Sequence, residues 1–186
     1  MKKNLIVIIG YNYNNLLGSE NDAILIYNIF YRFYLRNKKI WIKPKFFLNE
    51  NVKINLIKDY IKNNKFTKLI IYFSGHSSKQ NIFLYKKRIK RDTFLNEINK
   101  CLKNKIEKLF FIIDSCYSEK FLLIKNNLNN INKKIFILST NENQKSSEGF
   151  VTFNQKYFKF MKIKEITNNK VVLGIFTYNF CKLLYN

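Results

Sequence analysis

The chain has 186 residues, 47% of them hydrophobic and 17% aromatic, a composition that excludes disorder and supplies one packed core. Thirty-four Lys and Arg against twelve Asp and Glu leave a net charge of +22. Because Lys, Asn, Ile, Phe and Tyr are enriched together, as an AT-rich coding sequence would make them, that charge alone does not make nucleic acid an expected partner.

The opening, MKKNLIVIIGYNYNN, places two lysines before the apolar run Leu5 to Ile9. Five residues are too few for a secretory core of about 7–15 or a membrane span of about 20. Leu5–Gly10 instead predicts a first strand. After Ser19 the apolar positions Ala23, Ile26, Tyr27, Phe30, Phe33 and Tyr34 repeat at three and four, the period of one helix face. A weaker strand is expected over 43–49 and a helix over 52–64. A strong strand follows over 69–74, then a hairpin-like piece whose basic run Lys86 to Arg91 reads as a solvated turn. The pattern closes with a helix over 91–104, strands over 109–115 and 135–140, and a last helix over 174–185. The strand segments are apolar without clean alternation, as strands covered on both faces are. Strand and helix in alternation predict a single α/β domain over 1–186, with a mainly parallel sheet flanked by helices and a site beyond the strands' carboxyl ends. Three cysteines without metal spacing, and no linker or repeat, fit a soluble cytoplasmic protein in a reducing compartment.

Two of these strands end alike. TKLIIYFSGHSS and EKLFFIIDSCYS each run from apolar residues into a short polar tip, which carries the only histidine, His76, on one and Cys116 on the other. Parallel neighbours lie about 4.8 Å apart and end at one edge, so an imidazole and a thiol are expected across a cleft. A free thiol near pKa 8.5 is only about 3% thiolate at pH 7. A neighbouring imidazole takes the thiol proton and later protonates a leaving amine. Cys101 and Cys181 lie on apolar helix faces and read as core filler.

YFSGHSS and IIDSCYSEKF resemble the histidine and cysteine boxes of the caspase-like peptidases, and most closely those of the metacaspases. LLGSENDAILIYNIF (16–30), LSTNENQKSSEG and GIFTYNFCKLL resemble further family segments in the expected order. The resemblance implies a caspase-like fold with a large-subunit-like part over about 1–125 and a small-subunit-like part over about 133–186. It implies a cysteine endopeptidase with Cys116 as nucleophile and His76 as acid/base. Backbone N–H groups of Gly75 or Ser77 and of Cys116 would form the oxyanion hole. Metacaspases cut after Arg or Lys, and the matching pocket residues here are Asp22, Ser74 and Asp114. Carboxylates suit a guanidinium because they accept charge-assisted bonds in pairs.

Asp22 has a second reading, since Ser19-x-x-Asp22 is close to a capping box at a helix start. The chain also departs from the family pattern. Ser77 replaces the usual glycine, and Tyr117 and Glu119 flank the nucleophile. The aspartate cluster that binds calcium in many metacaspases has no counterpart, so no metal or other cofactor is expected. Peptide and protein substrates with a basic residue before the cut are the expected partners of a monomeric enzyme. The alternatives are a catalytically weak homologue that binds or regulates, a protease cutting after Asn or Asp, and a basic protein that binds nucleic acid or anionic surfaces.

Overall fold

The computed structural model describes residues 2–13, 17–102, 106–128, 131–141, 143–152 and 170–185. Leu16, the last residues of the helix expected over 91–104, and positions 153–169 of the small-subunit-like part lie outside them. The first half of the chain runs through β1 (Asn4–Tyr11), α1 (Gly18–Arg36), β2 (Lys45–Leu48), α2 (Ile54–Lys62) and β3 (Lys68–Gly75). A hairpin, β4 (Asn81–Leu84) with β5 (Lys87–Lys90), then leads into α3 (Arg91–Cys101) and β6 (Ile106–Asp114). After a 3-10 segment (Ser118–Asn127) come β7 (Ile131–Leu138), β8 (Glu148–Thr152), β9 (Lys170–Gly174) and α4 (Ile175–Tyr185).

Five strands form one sheet in the order β2-β1-β3-β6-β7, every pair parallel. Successive side chains of a strand alternate between its faces, and here both faces are covered. Val7, Ile9, Ile71, Phe73, Phe111 and Ile113 pack with α2 and α3 through Ile57, Ile61, Phe94 and Ile98. Ile6, Ile8, Ile70, Tyr72 and Ile112 pack with α1, β9 and α4 through Ala23, Ile26, Leu173 and Cys181. Two-sided burial is why these strands read as continuous apolar runs.

That alternation sets the chemistry of the sheet edge. β3 and β6 are adjacent, and their ladder runs from Lys68↔Lys108 to Ser74↔Asp114. Ser74 and Asp114 share the parity of Tyr72 and Ile112, so both belong to the face of α1 and α4. Helix α1 reaches them because β1 carries Gly10: a Cβ there would lie 2.5 Å from the Ser19 carbonyl oxygen and 2.6 Å from the Ala23 Cβ. Strands β8 and β9 pair antiparallel and set Glu148 opposite Gly174, which brings the turn into α4 to the same edge. Neither this strand pair nor the 3-10 segment carries a periodic pattern in the sequence.

The basic run needs a correction. Lys86 holds a φ of 53° at the β4–β5 turn, and Lys86, Lys87, Arg88 and Lys90 are exposed. Arg91, the last residue of the run, is only 2% exposed.

Candidate active site

β3 ends at Gly75 opposite Tyr11, and His76 follows, half-buried. Its ring belongs to a cluster of three, in which Tyr13 and Phe83 also touch each other at 4.7 Å. Tyr13 stacks on it at 5.4 Å with planes 19° apart, and Phe83 approaches at 4.8 Å. Burial, reinforced by the positive field of Lys145, lowers the imidazole pKa from its ordinary 6.5. Neutral imidazole, the form that accepts a proton, is therefore favoured at neutral pH.

Cys116 lies two residues past Asp114, as His76 lies two past Ser74. It is a free, half-buried thiol, whereas Cys101 and Cys181 are buried. Among the described residues, no acceptor takes the N–H of Ser77 or of Cys116. The departure at Ser77 carries no backbone strain, because the non-glycine residues with positive φ among those described are Asn49, Lys86 and Tyr117. The strain lies one residue past the thiol. Tyr117 has a φ of 54°, which costs a side-chain-bearing residue about 1–2 kcal/mol. It is held there by its N–H on the Gln144 carbonyl at 2.8 Å and by Arg91 Nη1 on its own carbonyl at 2.6 Å.

On the α1/α4 face three carboxyl groups converge. Asp22 is 1% exposed and Asp114 4%. Asp22 accepts from Ser74 Oγ and from the Gly174 N–H, both at 2.8 Å. Asp114 accepts from Ser146 Oγ at 2.5 Å and from the Thr177 hydroxyl and N–H at 2.7 and 3.1 Å. Glu148, across from Asp114, accepts from the Gly18 N–H at 3.1 Å. The cluster repels itself. Burial first, then the charge on Asp114, raise the Asp22 carboxyl well above its ordinary range, against the bonds from Ser74 and Gly174. Burial chiefly raises Glu148 too, with Asp114 adding to it. Ser74, Asp22 and Asp114 thus meet at one place, and Asp22 does not serve as a cap. The start of α1 is covered by Glu148, while both Asp22 oxygens face β3 and β9.

On the opposite face sits Arg91. It opens α3, where the helix dipole disfavours a cation, and its guanidinium turns away to the two strand tips. Nη2 donates to the Ser78 carbonyl at 2.6 Å, Ser77 Oγ at 3.2 Å and the Cys116 carbonyl at 3.3 Å. Ser77 Oγ in turn donates to the Cys116 carbonyl. The guanidinium plane lies 4.8 Å from the Phe121 ring centre. Burial pulls its pKa down to about 10, so it stays charged at pH 7.

Sequence reasoning missed Arg91, Glu148 and Thr177. No local pattern announced them, since each acts on residues from 13 to 130 positions away. Among the described residues, no three His, Cys, Asp or Glu side chains are grouped to hold a metal ion. No helix among them is long and apolar enough to cross a membrane.

A parallel α/β sheet whose carboxyl edge gathers an imidazole, a free thiol and an acidic cluster has the architecture of the caspase-like class. A family model described as the caspase domain matches residues 3–185. The chain belongs to that family and is a caspase-type cysteine peptidase domain. No curated protein is similar enough to the chain to count as a match.

Proposed function

We propose that this protein is a metacaspase-like endopeptidase that hydrolyses peptide bonds after Arg or Lys, with Cys116 as nucleophile and His76 as general acid/base. The observation that carries the reading is the Ser74↔Asp114 rung. It gives His76 and Cys116 the same offset on neighbouring strands, and with Asp22 it supports reading Ser74 and Asp114 as the pocket beside them.

The chemistry follows from those positions. Neutral His76 accepts the Cys116 thiol proton as sulfur attacks the scissile carbonyl carbon. The oxyanion that forms takes the N–H groups of Ser77 and Cys116, which no acceptor among the described residues holds. Gly75 is the weaker candidate, because it closes the β3 ladder opposite Tyr11. The imidazolium returns its proton to the leaving amine, and water activated by His76 then hydrolyses the thioester. Asp22 and Asp114, with Ser74 between strand and helix, are the acceptors for a basic side chain. A guanidinium entering there would relieve the mutual repulsion that raises Asp22 and Glu148. No step calls on a metal, and calcium is expected to leave turnover unchanged.

One observation favours a second reading. The pocket aspartates are almost wholly buried and already accept from protein donors, as in a homologue that binds without turning over. Hydrolysis of fluorogenic peptides ending in Arg, Lys, Asp or Asn, with calcium and with chelator, separates the two. The endopeptidase reading expects turnover after Arg or Lys that is lost in Cys116→Ala. Folded protein with no turnover on any of them would favour the inactive homologue.

A further inference from the structure

Arg91 breaks three local rules at once. It is a cation at a helix N-terminus, it is 2% exposed, and among the described residues no carboxylate pairs with it. Burying an unpaired guanidinium costs several kcal/mol after relaxation. Local conflicts of that size are expected at functional or strained sites. What Arg91 obtains in return is specific. Its four acceptors divide evenly between two turns, Ser77 Oγ and the Ser78 carbonyl from the histidine side, the Cys116 and Tyr117 carbonyls from the cysteine side. The planar fork spans both turns, which a lysine ammonium on its flexible stem would not do in the same way. Two of its contacts are to Cys116 itself and to the left-handed Tyr117 beside it. Strained residues next to a site persist only where their surroundings over-determine them, and Arg91 with the Gln144 carbonyl does so here.

We infer that Arg91 is a positioning residue, a brace that fixes the His76 turn against the Cys116 turn and so sets how strongly the imidazole acts on the thiol. This rests on the Cys116–His76 reading above. No hydrogen bond joins Arg91 to the Cys116 sulfur; it holds three backbone carbonyls and the Ser77 hydroxyl of the two turns, and its charge interacts with Cys116 through space. Its side chain approaches from the α3 face, opposite the acidic cluster, so its loss is predicted to change the reactivity of the thiol and leave pocket preference as it was.

The test needs no peptide substrate. The rate at which iodoacetamide alkylates Cys116 is followed across pH by peptide mapping of the full chain. The proteins are the wild type, His76→Ala, Arg91→Lys, the double variant, and Phe121→Leu, which removes the ring under the guanidinium and keeps all four acceptors. The wild type is expected to show a component of the pH profile that His76→Ala abolishes. Arg91→Lys should reduce that component about ten- to a hundredfold, the scale of an ångström-sized misplacement, and adding His76→Ala to it should change nothing further. Folded Phe121→Leu should show a smaller loss of the same sign, and it carries the test if Arg91→Lys does not fold. A folded Arg91→Lys or Phe121→Leu that keeps the full His76-dependent component overturns the inference. If His76→Ala leaves the wild-type profile unchanged, the dyad reading itself fails and the brace falls with it.

Discussion

The two faces of one sheet edge handle buried charge in opposite ways. On the α1/α4 face, three carboxyl groups are brought together and surrounded by hydroxyl and N–H donors from β3, β9 and α4. On the α3 face, one guanidinium is surrounded by carbonyl oxygens. The cation is nearly satisfied, with Nε its unpartnered nitrogen among the described residues, and three of its four partners are backbone carbonyls. The anions are hydrogen-bonded yet still repel one another, which is why burial and the neighbouring Asp114 charge push Asp22 and Glu148 upward. A nearly satisfied cation suits the brace inferred above; a self-repelling acidic cluster suits the basic-side-chain pocket proposed above. Burial disfavours the charged form on both faces, but only among the carboxyls does a neighbouring like charge add to it.

The largest effect that would break this contrast is expected at Gly174. A Cβ there would fall onto Asp114 Oδ2 and lie 2.9 Å from Asp22 Oδ2, so Gly174→Ala forces the carboxylates apart without touching the α3 face. Kinetics on an Arg peptide should show kcat/KM falling about ten- to a hundredfold, the loss of one charge-assisted hydrogen bond, while alkylation of Cys116 keeps its wild-type pH profile. Equal losses in both assays would mean that the two faces are not separable.

A smaller effect sharpens the picture between the faces. Burial and Lys145 both disfavour the imidazolium of His76. The folded protein therefore binds the His76 proton more weakly than the unfolded chain, and the acid limb of the pH–rate profile lies below the ordinary imidazole range near 6.5. Lys145→Gln removes one of the two causes and should move that limb to higher pH without abolishing turnover. An unmoved limb would assign the shift to burial against Tyr13 and Phe83.

The fold was legible in the sequence because two-sided burial writes itself as apolar runs, and four of the five sheet strands were strong runs of that kind. The two polar tips were legible for the same reason. Once β3 and β6 are neighbours in register, equal offsets follow. What was not legible depended on distance. Arg91 sits in a basic run that looks solvated, and only carbonyls from turns remote in sequence make it a buried residue. Glu148 lies in a polar stretch with no periodicity, and its partner Gly18 is 130 positions away. The capping pattern at Ser19 and Asp22 was a local signal overridden by tertiary contact, since Ser74 and Gly174 take the carboxylate first.

The most direct test of the account is covalent. Peptidyl-Arg and peptidyl-Asp acyloxymethyl ketones would be incubated with the full chain and the modified residue located by peptide mapping. The account predicts modification of Cys116 by the Arg probe, abolished in His76→Ala and far slower with the Asp probe. Equal labelling by both probes, or labelling of Cys101 or Cys181 with Cys116 left free, would contradict it.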